Sequence, residues 1–549
     1  MLVLLSALNA KFIHSSPALH SLYAYSNFKE NILIKEFTIN QSKDKIVSEI
    51  IKLNPDIVCF SCYIWNIEMI KEITPVIKKI RPSIKIIFGG SEVSFQYEEI
   101  LQKNIADVIV IGEGEETFEK LMNFFILGED TLSTIQGIAF MLNGIVQTTS
   151  KRTPIPLDSL PFIYKDNLEV FNNKILYYES SRGCPFSCAY CMSSIEKGVR
   201  FVPLERVFEE LSFFLANKVR QVKFIDRTFN CDSKRAYAIW KFLIDNTNGI
   251  TNFHFEIAAD LLTPELLTLL KEAPNGLFQF EIGVQSTNRD TLQAVMRKSD
   301  LSHLFDVVKK LKDFGNIHLH LDLIAGLPEE DYLSFQNSFN EVYNLHPDQL
   351  QLGFLKLLKG SALRENAHSL GIVYDEVAPY SVLYTNHISY EEIQVLKQIE
   401  DLVDLYYNSG KSLVTLKFAI EHFESPFDFY NAFRKYCEKQ EFFSVLHSKQ
   451  ELYIVLFEFL QLELPNLIGE VTDLILFDML KMENIKNFPY FIPKRESLWR
   501  KNKPRTMHIQ LFEYDILQYA TGKCERLQKR KNFCMFDYSE GIFFEEVLE

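Results

Sequence analysis

The residues best suited to chemistry lie in one run, Cys184-Pro185-Phe186-Ser187-Cys188-Ala189-Tyr190-Cys191. Three thiols within eight residues can converge on one soft, multi-iron centre without help from distant parts of the chain. Three is one short of a closed site. A four-iron cluster held this way keeps one iron open to a non-protein ligand, and chemistry enters there. The alternative is a structural zinc or iron–sulfur knuckle, which calls for a fourth Cys or His; none stands within thirty residues on either side.

A second set of reactive groups shows at period two, the spacing that puts alternate residues on one face of a strand. His318, His320 and Asp322 share a face, as do His254 and Glu256, and Gln279, Glu281, Gly283 and Gln285. A barrel core built for stability alone is filled with Val, Ile and Leu. Titratable groups inside need partners or water. The expectation is a lumen filled by a ligand rather than a polar core that satisfies itself.

Strands and helices must position these groups. Ile175–Ser180, Val222–Ile225, Phe253–Ile257, Phe278–Gly283, Ile317–Leu323 and Leu350–Leu355 predict six βα units, a partial TIM-like (β/α)6 barrel. The first strand runs into the cysteine loop, at the carboxyl end where barrels carry their chemistry. Upstream, Val3–Ala7, Ile32–Phe37, Asp56–Phe60, Ile84–Phe88 and Val108–Ile111 predict a parallel sheet covered on both faces, a doubly wound, Rossmann-like α/β domain. Ligands of such sheets lie beyond the strands' carboxyl ends, which gathers Asn9, Tyr63, Trp65, Asn66, Gly89, Gly90, Ser91, Gly112, Glu113 and Gly114. Cys59 and Cys62, three apart on a strand, face opposite ways and do not suit a shared metal. Phe140 to Gln147 reads as a hairpin around Asn143-Gly144. Pro154, Pro156 and Pro161 then mark a stiff linker. The expected division is an α/β domain at 1–150, a linker at 151–170, a barrel at 171–370 and a mainly helical domain at 371–549. In the last, Ser389 with Glu392 has capping-box spacing, Ser425-Pro426 opens another helix, and Phe427, Phe429, Tyr430 and Phe433 recur at the spacing of a buried helix face.

The C-x3-C-x2-C run with Tyr190 before its last cysteine resembles the signature of the radical S-adenosylmethionine (SAM) enzymes. An α/β domain ahead of such a barrel resembles the cobalamin-binding domain of one large subgroup, to which Leu8-Asn9-Ala10-Lys11-Phe12-Ile13-His14 and Ser61-Cys62-Tyr63-Ile64-Trp65-Asn66 are similar. The chain is identified as a cobalamin (B12)-binding-domain-containing radical SAM protein with a helical C-terminal extension of unknown function. The resemblance implies a 4Fe-4S cluster on Cys184, Cys188 and Cys191, with SAM chelating the open iron. One-electron cleavage of the sulfonium then gives methionine and a 5′-deoxyadenosyl radical that abstracts hydrogen from substrate. Cobalamin is implied as a methyl carrier, or as an electron relay in an oxidative cyclisation. Gly283-Val284-Gln285-Ser286 with Arg297, and Asp322 to Pro328, look most like the oxygen-independent coproporphyrinogen oxidases and their relatives. They imply SAM contacts at Glu256, Gln285, Ser286, Arg297 and Asp322, besides Tyr190, with the Arg297 fork on the methionyl carboxylate.

The chain departs from the pattern twice. The D-x-H-x-x-G motif that offers cobalt a histidine is absent, which implies cobalamin held without a protein imidazole and leaves His14 and His20 as surface or capping residues. Ile225-Asp226-Arg227-Thr228 stands where many members carry Gly-Gly-Glu; Asp226 either takes the methionyl ammonium or pairs with Arg227. Two alternatives remain: a methylthiotransferase, which needs three upstream cysteines where only Cys59 and Cys62 exist, and a non-catalytic cobalamin or redox sensor with a structural cluster.

Composition bounds the rest. A chain of 549 residues, 47% hydrophobic and 24% charged, holds several domain-sized units and little disorder. The net charge of −14 disfavours nucleic acid as a partner, and the basic islands Lys494–Arg505 and Lys523–Lys531 read as solvated faces. Nine cysteines, three of them clustered, suit a reducing compartment. The opening Met-Leu-Val-Leu-Leu lacks a basic n-region and reads as a buried strand, and no apolar run has membrane-spanning length. The expectation is a cytoplasmic protein in an anaerobic or reducing setting, served by a low-potential donor such as flavodoxin or ferredoxin, with no membrane partner and an unknown substrate.

Overall fold

Three of the apolar runs of the first 110 residues become strands with no polar face to leave in water. In the computed structural model, β1 (Val3–Asn9), β3 (Ile57–Ser61) and β5 (Val108–Val110) are buried residue by residue. With β2 (Ile32–Thr38) and β4 (Lys85–Gly89) they stand in the order β2-β1-β3-β4-β5. Helices α1 (Pro17–Tyr25), α2 (Lys43–Leu53), α3 (Ile67–Ile80), α4 (Glu98–Gln102) and α5 (Glu115–Met122) accompany them. One face packs Leu4, Val58 and Phe60 with Ile46 and Ile70; the other packs Val3, Leu5 and Ile57 with Leu19, Phe118 and Leu121. The chain winds outward from β1 in both directions, so the loops after β1 and β3 part at the carboxyl ends and open a crevice. Asn143 and Gly144, at φ 51° and 79°, close β6 (Ile138–Leu142) on β7 (Ile145–Thr148), and this hairpin continues the same sheet antiparallel to β5.

The structure describes the chain except Glu196, Lys486, 495–506, 540–542 and 548–549, with 543–547 as backbone only. By packing it forms two units, one of residues 1–320, 326–331 and 354–389, the other of 321–325, 332–353 and 390–549. The first sheet and the first barrel strands share a unit, and residues 151–170 pack within it. Ile155, Leu157 and Tyr164 are buried between the prolines, and the Tyr164 hydroxyl donates to the Tyr177 carbonyl at 2.7 Å while accepting from the Tyr177 N–H at 2.9 Å.

The barrel departs from expectation at its start. The chain leaves β8 (Leu176–Tyr178) after three residues. It turns into an antiparallel ribbon of β9 (Ser181–Cys184) and β10 (Gly198–Phe201), with the cysteine loop between them. Then come β11 (Gln221–Phe224), β12 (Asn252–Ile257), β13 (Phe278–Gln285), β14 (His318–Ala325) and β15 (Gln349–Phe354), giving a six-stranded sheet in the order β15-β14-β13-β12-β11-β8. Helices α6 (Leu204–Ala216), α7 (Ser233–Asp245), α8 (Pro264–Lys271), α9 (Arg289–Ala294), α10 (Leu301–Phe314) and α11 (Tyr332–Tyr343) alternate with these strands. The one-turn α12 (Ala362–Glu365) and the pair β16 (Val373–Tyr374) and β17 (Val382–Tyr384) complete the first unit.

The second unit is helical through α13 (Tyr390–Leu402), α14 (Leu413–Ile420), α15 (Pro426–Lys439), α16 (Lys449–Glu463) and α17 (Ile468–Met482). Ser425 caps α15 by accepting from the Asp428 N–H. Phe427, Phe429, Tyr430 and Phe433 are buried in the core, with Phe433 stacked on Phe459 at 4.7 Å. The domain is mainly helical, and beyond residue 506 it adds an antiparallel sheet of β18 (Met507–Tyr514), β19 (Lys529–Asp537) and β20 (Phe543–Val547), with α18 (Ile516–Ala520) between the first two. Buried His508 and Gln510 break the apolar alternation that signals a strand. Lys529, Arg530 and Lys531 are exposed, while 495–505 of the other basic island lie outside the described residues. Among the described residues no single helix is long and apolar enough to cross a membrane; α16 and α17 reach that composition only as a pair bent by 117°.

Gly90 follows β4 with φ +111°, and a Cβ there stands 2.5 Å from the Cys62 carbonyl oxygen. Gly90→Ala is expected to cost about 2 kcal/mol, read as a lower urea midpoint at an unchanged slope.

Candidate functional site

The site is built on the ribbon. Cys184 ends β9, and the loop that follows carries Cys188 and Cys191; the first two thiols are buried and the third is partly exposed. Gly183, at φ +107°, leaves room for the Gly198 carbonyl, so the ribbon closes only around a residue without a side chain. The loop is fastened at Ala189, whose N–H donates to the Val295 carbonyl and whose carbonyl accepts from the Leu363 N–H, both at 2.9 Å. Arg297 braces it from below. Its Nη1 lies 3.4 Å from the Tyr190 hydroxyl and 3.9 Å from Cys188 Sγ, its Nη2 donates to the Gly283 carbonyl, and its Nε is buried without a partner. Burial opposes the Arg297 charge, yet Tyr190 and Cys188 more than restore it and raise its pKa. Burial drives the Tyr190 phenol up as well.

The other expected SAM contacts divide. Asp226 is buried: its Oδ1 accepts from the Ser180 N–H at 2.8 Å, and its Oδ2 accepts from the Ser180 hydroxyl at 2.7 Å and from the Ser181 hydroxyl. Burial pushes this carboxyl up to about 6 against the hydrogen bonds from Ser181 and Ser180. Asp226 therefore fastens the turn from β8 to β9 through Ser180 and Ser181, and no ion pair joins it to Arg227 among the described residues. Ser286 is buried, donates to Glu330 and accepts from the Asn288 N–H at 3.0 Å, which shapes the turn after β13. Gln285, at φ 72°, folds its amide over Gly283 toward Arg297. Glu256 pairs in register with Glu281 on β12 and β13, and Asp322 lies on the second half of β14, in the second unit.

The lumen is partly self-satisfied, contrary to expectation. Glu281 receives Lys223 Nζ at 2.9 Å and His254 Nε2 at 3.0 Å. Burial raises the Glu281 carboxyl, but His254 and Lys223 outweigh it and hold the pKa at about 2. Burial lowers that of His254. Lys223 was not among the candidates, although the period that singles out its neighbours on β12 and β13 was available on β11.

Above the ribbon lies a cavity of about 650 Å³. Tyr63, Gly90, Ser91, Gly112 and Glu113 line it from the sheet's carboxyl end, and Arg182, Gly183, Met192 and Arg227 from the cluster side. Asn9, Trp65, Asn66, Gly89 and Gly114 do not line it; they shape the loops that do. Asn66 donates to the Leu8 and Ser61 carbonyls and accepts from the Tyr63 N–H at 2.8 Å. Trp65 donates to the Leu8 carbonyl at 3.1 Å and stacks on Tyr63 at 4.6 Å. Asn9 binds Glu36 and the His14 carbonyl, Gly89 accepts from the Cys62 N–H, and Gly114 caps α5. His14 and His20 are not bare surface residues: they bond to the Tyr177 hydroxyl at 2.6 Å and to Glu36 at 3.1 Å. Among the described residues no histidine lines the cavity. Cys59 and Cys62 sit in cores on opposite faces of the first sheet, as their spacing requires.

Charges join the two walls. Arg182, on β9, meets Glu179 at 2.8 Å, Glu115 at 3.0 Å and Glu113 at 3.4 Å. Arg200, on β10, also pairs with Glu113, whose other oxygen accepts from the Ile155 N–H at 3.0 Å.

Residues 178–342 match the family model of the radical SAM superfamily, and residues 21–122 that of the B12 binding domain. The chain joins a B12-binding domain to a radical SAM domain. Residues 368–539 match a third model, described as a protein of unknown function (DUF4080). An uncharacterized methyltransferase of Pyrococcus horikoshii is 26% identical over 362 residues, covering 63% of this chain and 77% of that protein. The cobalamin-dependent radical SAM methyltransferase TokK of Streptomyces tokunonensis is 22% identical over 53% of this chain, and the match spans 45% of TokK. Among solved structures, the cobalamin-dependent SAM radical enzyme OxsB with aqua-cobalamin and SAM bound has a TM-score of 0.61 at 15% identity, over 86% of this chain and 80% of that one. The radical SAM methyltransferase TsrM from Kitasatospora setae, with cobalamin and a 4Fe-4S cluster bound, has 0.56 at 15% identity, over 68% and 80%. These two are likenesses of fold.

The residues of the radical SAM domain fit the cluster. Cys184, Cys188 and Cys191 share one loop, and Arg297 offers donors beside Cys188. The B12-binding domain presents glycine backbone and Tyr63 to the cavity, a wall suited to a flat macrocycle held without imidazole.

Because the Glu281 pKa is lowered on folding, its stabilisation is present above about pH 4.5 and fades as pH falls through about 2. Glu281→Gln in the apoprotein is expected to cost about 2 kcal/mol at pH 7. In urea unfolding, the gap from wild type should narrow steadily between pH 4.5 and pH 2.

Proposed function

We propose that the protein is a cobalamin-dependent radical SAM enzyme that cleaves SAM reductively and methylates a substrate. The observation that carries this reading is one cavity walled on one side by the cluster ribbon and on the other by the ligand-binding end of a doubly wound sheet. Relatives named as methyltransferases favour methyl transfer over cyclisation. When bound, the cluster supplies an electron to the SAM sulfonium and cobalamin supplies a methyl carrier.

The chain's own residues bind, orient and exclude water. Cys184, Cys188 and Cys191 hold the cluster, Arg297 and Tyr190 brace the loop under it, and Glu256 and Gln285 receive SAM from the barrel strands. Tyr63, Gly90, Ser91 and Gly112 would hold the corrin at the sheet's end of the cavity. Leu157, Leu160 and Phe162 give the cavity an apolar flank that limits water around a reactive radical. The protein works in a reducing cytoplasm and takes electrons from a flavodoxin or ferredoxin.

Protein reconstituted anaerobically with iron, sulfide and cobalamin, then given SAM and dithionite, is expected to form 5′-deoxyadenosine. Cys188→Ala is expected to lose cluster absorbance and to form none. Wild type that binds both groups yet yields no 5′-deoxyadenosine leaves the sensor reading in place. Corrinoid that does not stay with the protein on gel filtration removes cobalamin.

A further inference from the structure

We infer that Arg227 holds the methionyl carboxylate of SAM, so that this chain presents a cation after its second barrel strand where an acceptor for the methionyl ammonium is expected. The inference rests on the radical SAM reading.

Arg227 stands in the turn after β11, between two residues whose roles are settled by geometry. Asp226 turns inward and spends both oxygens on Ser180 and Ser181. Thr228 places its Oγ1 3.7 Å from Cys184 Sγ, which sets the turn beside the cluster loop. The Arg227 side chain is exposed and lines the cavity together with Gly183 and Met192, the immediate neighbours of Cys184 and Cys191.

Charge decides what belongs there. The carboxylates that line the cavity are already paired: Glu113, Glu115 and Glu179 with Arg182, and Glu210 with Arg206 at 2.7 Å and the Tyr178 hydroxyl at 2.7 Å. Arg227 has no ion-pair partner among the described residues. A guanidinium left over in such a wall offers a planar fork that fits a carboxylate through two parallel hydrogen bonds. Arg297, the other candidate, cannot offer that fork, since Nη1 is turned to Tyr190 and Cys188 and Nη2 to the Gly283 carbonyl. The departure at Asp226-Arg227 is therefore a change of polarity: the acid is withdrawn into the fold and the base takes its place at the cavity.

A carboxylate could also come from the substrate, and two ligands separate the sources. Equilibrium dialysis on cluster-reconstituted protein without reductant would measure SAM and decarboxylated SAM against wild type, Arg227→Gln and Arg227→Lys, with bound iron counted in each. Arg227→Gln is expected to weaken SAM by about 10- to 100-fold and to change decarboxylated SAM little. Arg227→Lys, which keeps the charge without the fork, is expected to fall between. Equal loss for both ligands, or no loss for SAM, overturns the assignment and leaves SAM cleavage by wild type standing. Wild type that shows the expected difference but forms no 5′-deoxyadenosine on reduction overturns the proposed function and leaves Arg227 in its role.

Discussion

The ion-pair net around Arg182 is the constraint on which the site depends. Its partners come from different places: Glu179 from the turn before the ribbon, Glu113 and Glu115 from the loop that opens α5 at the end of the first sheet. Burial alone weakens a guanidinium, but Glu179 and then Glu115 hold Arg182 charged well beyond its usual range. The same contact lowers the Glu115 carboxyl against the burial that raises it. Such a net is stable only complete, because removing one member leaves a partly buried charge of the opposite sign without compensation. It thus fixes the cysteine ribbon two residues before Cys184 against the loop that forms the opposite wall of the cavity.

A second lock holds the neighbouring loop. Glu92, just beyond Gly90 and Ser91, is 3% exposed, accepts from the Tyr380 hydroxyl at 2.7 Å and faces Lys359 at 3.9 Å. Arg364 lies over the Tyr380 ring at 4.5 Å, and Gly360 abuts the Phe95 ring. These contacts draw residues 354–389 to the first unit and settle the turn that carries Gly90 and Ser91. A polar group this deeply buried is tolerated because each charge meets one of opposite sign or a hydroxyl.

Much that looked like a ligand contact is second in line. Asp226, Ser286, Asn9 and Asn66 spend their hydrogen bonds on backbone and on neighbouring side chains, and so give the cluster loop and cavity loops their shapes. Lys223, Glu281 and His254 do the same within the lumen. Glycine backbone, Tyr63, Ser91 and Arg227 are among the groups that line the cavity.

Local pattern was enough for whatever depends on neighbours in sequence. The three thiols share one loop, so their spacing alone announces a cluster. Near-continuous apolar runs specify buried parallel strands, Asn143-Gly144 specifies its turn, and Ser425-Pro426 its helix start, because each preference is settled within a few residues. Period two separated Cys59 from Cys62 correctly for the same reason. Pairing across long stretches was beyond it. Whether Asp226 meets Arg227 or Ser180, and how the proline-stiffened residues 151–170 bury Tyr164, depend on which elements fold against one another. So does the sheet after residue 506, where buried His508 and Gln510 hide the strand period. Many hydrogen bonds and ion pairs at the site join residues tens to hundreds of positions apart, and only the tertiary structure decides how those donors and charges are spent.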